Sequence, residues 1–464
     1  MQPDLSWLIP VEVMLGSLTH GEIQLCSIFS VPDEIRATKE DAFKPKVVSI
    51  GPLHRGTTRH LQLMEGPKML YMREFLERRG IAEETSRGLQ SSLEDCGTEI
   101  LKLDKAIIAS YGGNIQLESH ELAKIMIVDG CFLLEFLLRL GNYMESPEYH
   151  KRNYSDDPIF KTEEKIVSIV NDITMLENQI PFIVLKTLYR KVFPHPNGTT
   201  IQNDYSVANI VRKAFGYYEV DKVEGAHVLH TMHMSSIKQN QEEGKRAKQE
   251  LLRCATRLRA LGITIRAAND TRPHSLNDCL DFNINFSYGE LRIPSLSIKE
   301  TTEVRWRNLI AWEQSEIWIR CKYTSYGLFF QGLICCKHDI EMLLEKKVIV
   351  NEANKSMDDL LRLFRTICKG AERMDSSYSE LCRLLNVYNG KKGTTALRGL
   401  PIVTWHRWRR VFEMLLYCWG NWYRMLIRDH IPTVWKFIGV LAAVALLVLT
   451  VMQTYYSSRS TGSG

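Results

Sequence analysis

No two of the eleven cysteines stand at C-x-x-C spacing, and the tightest pair, Cys335 and Cys336, is adjacent. An odd count scattered from Cys26 to Cys418 is the pattern of free thiols in a reducing compartment, and it excludes a disulfide scaffold or a ribbon-type zinc site. Charge of one sign is also scarce. The 464 residues carry 59 Lys and Arg against 54 Asp and Glu, a net +5, which is too little for a whole-chain nucleic-acid binder. The first twenty residues, MQPDLSWLIPVEVMLGSLTH, lack a basic start and contain Asp4 and Glu12, so no secretory leader is read there. The Asn-x-Ser/Thr triplets at Asn153, Asn197, Asn269, Asn285 and Asn354 are therefore read as chance. There is no G-x-S-x-G elbow. GPLHRG at 51–56 fails the phosphate-loop pattern because no lysine follows its second glycine.

What the chain does have is apolar content, 45%, enough for a large core. Most of it falls at helical spacing. Residues 124–138, KIMIVDGCFLLEFLL, are apolar almost all round and read as a buried helix. Ile166, Ile169, Val170, Ile173 and Leu176 make one stripe, and 357–367 and 377–387 read as amphipathic helices. In CLDFNINF, Leu280, Phe282, Ile284 and Phe286 alternate with polar residues, which predicts a half-buried strand. SYGE is a turn and LRIPSLSI a second strand that Pro294 places at an edge or bulge. GITIRA at 262–267 is a third strand able to pair with them. The expected fold is mainly α, a large helical body over 24–404 with one small antiparallel β-sheet near 262–298, after an N-terminal tail over 1–23.

The longest apolar run is C-terminal. FIGVLAAVALLVLTVM, 437–452, has eleven Leu, Ile, Val, Phe or Met among sixteen residues, and the charge-free stretch continues to Ser458. On membrane-insertion scales these sum to about −3 to −6 kcal/mol. The expectation is one transmembrane helix over 437–456, with Lys436 and Trp435 at its edge and a flexible tail over 457–464. Ahead of it, 405–436 is basic and aromatic, with Arg407, Arg409, Arg410, Arg424 and Arg428. That composition suits an anionic membrane surface; the alternative is a packed helix with solvated arginines. The implied arrangement is a single-pass, tail-anchored membrane protein with a cytosolic body; plasma membrane and endoplasmic reticulum are not distinguished. Its expected partners are membrane lipid along 437–456 and a protein on the cytosolic side. No nucleic acid, cofactor or metal is expected.

Several blocks together resemble a plant family. They are VPDEIRATKEDAFKPKVVSIGPLHRG, LEDCGTEILKLD, MIVDGCFLLEFLL, NDITMLENQIPF and LRIPSLSIKETTEVRWRNLIAWEQ, followed by the C-terminal apolar segment. In this order they are similar to the domain-of-unknown-function 247 family over nearly the whole chain. The resemblance implies a plant protein with one C-terminal membrane segment and no established activity. Association of some grass members with self-incompatibility points to recognition or signalling, without giving any residue a role.

Candidate site residues are polar groups set against apolar segments: His54, Asp129, Asp172, Glu177, Asn178, Gln179 and Glu313. An unpaired buried carboxylate costs several kcal/mol, so each must find partners. Pro181 suits the start of a helix, and Asn178 to Ile180 would then form its entry and cap. Partnering with Arg305 or Arg307 is a further expectation. The competing reading is an acid/base site built from Asp129, Glu177 and His54. His227, His230 and His233 recur every third residue and read as a surface or partner-facing helix rather than a metal set, since no carboxylate or cysteine nearby completes one. Cys131 precedes an apolar run and reads as a small hydrophobe. The expected molecule is a non-enzymatic interaction or recognition protein; the alternative is an uncharacterised hydrolase or transferase using the buried carboxylates.

Overall fold

The computed structural model describes residues 26–83, 89–111, 115–146, 157–193, 207–217, 224–237, 250–268, 280–316 and 319–389, with 446, 449 and 450. The chain divides into two compact units, 1–256 with 265–388, and 257–264 with 389–464. In the second unit Arg257–Ala260 completes a short helix, Ala255–Ala260, which closes on Gly262 with a positive φ of 88°.

The first unit is built around one helix. Helices α1 (Glu65–Glu83), α2 (Leu89–Lys102), α3 (Asp104–Ser110), α4 (Ser119–Glu145), α5 (Glu163–Ile173), α6 (Phe182–Val192), α7 (Val207–Ala214) and α8 (Val228–Ser236) form its N-terminal part. α1, α2, α6 and α7 all pack on α4. α4 is buried on every side from Ile125 to Leu137, as its apolar run requires. Each buried Leu or Phe there contributes roughly 1.5–3 kcal/mol of transfer free energy.

α4 also carries Asp129, Glu135 and Arg139, all buried, and each charge is matched. Glu135 accepts Nε and Nη2 of Arg78 at 2.7 and 2.9 Å and Nε of Arg139 at 2.8 Å. Arg139 reaches Asp157 at 2.5 Å, and Tyr71 Oη donates to that same carboxylate at 2.7 Å. Breaking one side of such a buried set is costly because the other side is left uncompensated.

The C-terminal part holds α9 (Thr302–Ser315), α10 (Lys322–Leu333), α11 (Lys337–Glu345), α12 (Met357–Thr366) and α13 (Ser379–Val387). Between α8 and α9 lie β1 (Thr264–Ala267), β2 (Asn285–Ser287), β3 (Glu290–Ile293) and β4 (Leu296–Ser297), and β5 (Ile349–Val350) follows α11. β2 and β3 form an antiparallel hairpin with Ser287 opposite Glu290. Its two-residue turn, Tyr288-Gly289, has φ of 51° and 77°, the positive values that a tight hairpin turn demands. β1 lies on the far side of β3.

The helical body and the 262–298 hairpin agree with the sequence reading. Three features differ from it. The alternation from Leu280 becomes strand only at Asn285, which pairs with Arg292 of β3. Beyond Pro294 the chain leaves that sheet, and β4 pairs in parallel with β5, a second small sheet formed by segments about fifty residues apart.

The third is the spanning helix expected over 437–456, which is not borne out: among the described residues no helix is long and apolar enough to cross a membrane. Of that segment only Leu446, Leu449 and Thr450 are described, as helical and exposed. The 27-residue α4 has the length, but it carries Asp129, Glu135 and Arg139, each paired inside the protein. Hydropathy alone cannot separate these cases, since a protein core rewards the same residues as lipid. The residues read as membrane-facing, Arg407, Arg409, Arg410, Arg424, Arg428, Trp435 and Lys436, lie outside the described residues.

Candidate functional site around Glu177

Residues 44–51 cross the body without helix or strand, so their backbone groups need partners from elsewhere. Side chains supply them. Asp172, on the last turn of α5, accepts the N–H groups of Lys46, Val47 and Val48 at 3.0, 2.6 and 2.8 Å. Asn178 accepts from Ile50 at 2.7 Å and donates to the carbonyls of Val48 and Asp172. Asp129 accepts from Gly51 at 3.0 Å. Gly51 has φ of 75°, and a Cβ there would stand 2.8 Å from both the Gln179 carbonyl and Tyr111 Oη. Only glycine meets both conditions.

Gln179 joins three elements. Its Nε2 donates to the carbonyls of Ile173 and Met175, which the end of α5 leaves open, and its Oε1 accepts from Leu229 in the first turn of α8. Glu177 Oε1 accepts the Val31 N–H at 2.8 Å and is ion-paired to Arg36. The opposite oxygen stands 3.6 Å from His54 Nε2.

The electrostatics follow from these contacts. Burial alone raises the Glu177 carboxyl, but His54, Arg36 and the Val31 amide outweigh it and bring it to about 2. Asp172 is more deeply enclosed, and burial prevails over its three N–H bonds, lifting it to about 6. Burial likewise pushes Asp129 up, against Lys68 at 2.7 Å.

The expected cap of α6 is absent. Pro181 is its N-cap and no side chain bonds there; Asn178 is committed to the 44–51 segment, and Phe182 N–H goes to the Ala226 carbonyl. Neither Arg305 nor Arg307 meets Glu177, which has Arg36 instead; Arg307 pairs with Glu303. Glu313 works at a separate place. It accepts the N–H groups of Tyr323 and Thr324 at 2.8 Å each, opening α10, together with His233 Nε2 at 2.9 Å.

His227, His230 and His233 are corrected from surface to core: all are at most 4% exposed. His227 and His230 pack on Trp312 at 4.9 and 4.8 Å, and His227 caps α8 by accepting the His230 N–H. Its Nε2 meets the Ser27 carbonyl at 2.9 Å, so the neutral ring with the proton on Nε2 satisfies both bonds. Burial drives its pKa down to about 3.

Sequence reasoning missed Asn308. Its Oδ1 accepts the Leu176 N–H and its Nδ2 donates to the Ala42 carbonyl, tying α9 to the Glu177 loop. Its position in the apolar run RNLIA was the available signal. It also missed Cys254, Cys335 and Asp339, whose ligand atoms lie within 4.8 Å of one another. Their separation in sequence hid them. Asp339 is already committed, one oxygen to Thr256 and the other to the N–H groups of Cys335 and Cys336, so a metal would compete with the start of α11.

The structure thus brings the sequence-predicted residues together through one turn. GPLHRG sets His54 against Glu177 and Arg55 against Asp129, at 3.6 and 3.7 Å. His54 Nε2 and Arg55 Nη1 have no hydrogen-bond partner among the described residues. Asp172, Asn178 and Gln179 lie behind this pair, wholly occupied by backbone groups.

Residues 28–449 match the family described as "Plant protein of unknown function", DUF247. This chain belongs to the DUF247 family. The match covers every residue of the Glu177 cluster. Among its relatives, this DUF247 chain is 27% identical to UPF0481 protein At3g47200 of Arabidopsis thaliana, over 92% of its own length and 85% of the relative's. It is 29% identical to the putative UPF0481 protein At3g02645 of the same plant, over 39% of its own length and 30% of the relative's. No solved structure matches the chain.

Proposed function

We propose that this DUF247 protein is a non-enzymatic interaction protein whose helical body presents a surface to a protein partner. The supporting observation is how the polar constellation is used. Asp172, Asn178 and Asp129 accept backbone N–H groups of the irregular segment 44–51, and Gln179 accepts that of Leu229 at the start of α8, which fixes irregular chain against the helices. Such commitment preorganises a surface instead of leaving groups available to a substrate.

The contact face we assign is apolar. Leu384 and Val387 on α13 are 40% and 65% exposed, and Leu252, 72% exposed, lies beside them where its N–H meets Asn386 Oδ1. Exposed apolar side chains grouped in this way fit a protein interface. Proximity labelling from the full chain, with and without Leu252→Asp, Leu384→Asp and Val387→Asp together, tests the proposal. The expected result is a reproducible labelled set that the triple variant loses at unchanged Tm. An irreproducible set, or one the variant retains, overturns it.

One observation favours a second reading, a hydrolase or transferase. His54 and Glu177 form a partly exposed imidazole–carboxylate pair whose Nε2 is unspent among the described residues. That reading requires His54→Gln and Glu177→Gln to abolish a turnover without lowering Tm. A fall in Tm with no loss of turnover supports the interaction reading.

A further inference from the structure

Two thiols and a carboxylate meet where α11 begins. The ligand atoms of Cys254, Cys335 and Asp339 all lie within 4.8 Å of one another, although the segments that carry them are far apart in sequence.

Asp339 is fully buried, and its two oxygens are loaded unequally. Oδ1 accepts the Thr256 N–H and hydroxyl at 2.8 and 2.6 Å, which use both of its lone pairs. Oδ2 accepts the N–H groups of Cys335 and Cys336 at 3.0 and 3.2 Å. The sulfurs of the same two residues also stand against it, at 3.0 and 3.4 Å. Two lone pairs thus face four donors. The amides are the stronger donors, so the thiols are the surplus.

The two adjacent sulfurs differ in what else they do. Cys336 is the N-cap of α11, and its sulfur takes the Asp339 N–H. Cys335 is exposed, and its sulfur bonds to the Cys254 thiol, itself half-buried, as well as to Asp339. Burial and both of these neighbours push the Cys335 thiol up, so in neutral solution it keeps its proton until a cation displaces it.

We propose that Cys254, Cys335 and Asp339 bind one thiophilic divalent cation, with zinc as the best fit. Two sulfurs and one carboxylate oxygen are ligands that zinc accepts, whereas magnesium and calcium require a shell of oxygens. Three protein ligands leave the fourth tetrahedral position to water, which reaches the site beside the exposed Cys335. Each sulfur binds as thiolate, so a metal–sulfur bond forms for each S–H bond broken. One cation enters and two protons leave to solvent. Tetrahedral zinc holds sulfur and oxygen about 3.5 Å apart, so Cys335 swings outward from its 3.0 Å contact, a move open to an exposed side chain. The cation shares Oδ2 with two amides, and it therefore binds less tightly than at a site whose carboxylate has no other duty. The site lies apart from the Glu177 cluster and does not depend on the contact face assigned above.

Zinc is the probe and magnesium the comparison, on the full chain kept reduced with a phosphine. Equilibrium dialysis is expected to show a zinc site that excess magnesium does not empty, and Tm is expected to rise with zinc, as it must for a ligand selective for the folded state. Cobalt(II) in place of zinc is expected to give thiolate-to-metal charge-transfer absorption. Cys335→Ser, at an exposed position, and Cys254→Ser are each expected to weaken zinc binding by about tenfold or more and to remove that absorption. Cys26→Ser changes a cysteine outside the cluster and is expected to alter neither. Absence of zinc binding to the reduced chain, equal zinc binding by Cys335→Ser, or an equal loss in Cys26→Ser would each overturn the assignment.

Discussion

Glu177 Oε1 accepts the backbone N–H of Val31 at 2.8 Å across 146 residues of sequence. Arg36, one short helical turn later, closes on the same oxygen. One carboxylate thus pins the beginning of the described chain to the loop between α5 and α6. Replacing Glu177 by Gln keeps an acceptor for Val31 and removes the charge that Arg36 needs. The expected loss is about 1–3 kcal/mol in chemical denaturation. Unchanged stability would mean that the pairing with Arg36 contributes nothing.

Because the folded Glu177 carboxyl sits near 2, below its ordinary 4.5, its contribution is present above about pH 4.5 and is lost as pH falls toward 2. The Gln variant should therefore show a flatter loss of stability than the parent over that window. Denaturation midpoints at successive pH values measure the difference.

Asp172 titrates in the opposite sense. Its folded carboxyl is raised from 3.8 to about 6, so its stabilising effect is greatest below about pH 3.8 and is lost as pH rises through 6. The span corresponds to about 3 kcal/mol at most. Asp172→Asn should remove this fall between pH 4 and 6. It should also cost about 1–3 kcal/mol at the acid end, since one amide oxygen cannot accept all three N–H groups of Lys46, Val47 and Val48. A variant that keeps the parent's slope over this range would show that another group causes it.

His227 makes the fold sensitive to mild acid. Its ring is held neutral, with a pKa driven from 6.5 down to about 3, so stability is full above about pH 6.5 and is lost progressively as pH falls toward 3. Burial pushes His230 the same way. His227→Asn, which retains a capping oxygen without a titrating ring, should lessen the decline between pH 6.5 and 4. Thermal melts in that interval decide it, and an identical slope would refute the assignment.

Gly51 and Gly56 frame the same turn with nearly equal φ, 75° and 72°, yet only Gly51 is hemmed in. Gly56→Ala should cost about 1 kcal/mol, the conformational term alone. Gly51→Ala also drives a methyl against the Gln179 carbonyl and Tyr111 Oη, and should cost about 3 kcal/mol or more. Equal effects would show that the loop moves freely away from Gln179.

The legible part of this protein is the part that short-range pattern encodes. Helical spacing marked α4, α5, α12 and α13, because burial on one stripe repeats every three to four residues whatever the partner. SYGE marked the hairpin turn, because positive φ at two successive residues restricts which side chains can stand there. The polar residues of LENQIP were visible for the same reason, as groups that cannot be buried alone. Their partners were not visible. Asn178 looked like a cap for the helix starting after Pro181, and only the tertiary structure places residues 44–51 where that amide is needed more.

The three histidines looked exposed because Trp312 and Glu313, which enclose and pair with them, lie some eighty residues away. The apolar run at 437–456 was read as a membrane span from hydropathy, whereas among the described residues no helix is long and apolar enough to cross a membrane. The sequence by itself therefore determined the family, the helical class and which residues had to be satisfied. The tertiary structure decided what satisfies them, since a hydrogen bond or ion pair depends on distance in space, and the decisive ones here join residues more than a hundred positions apart.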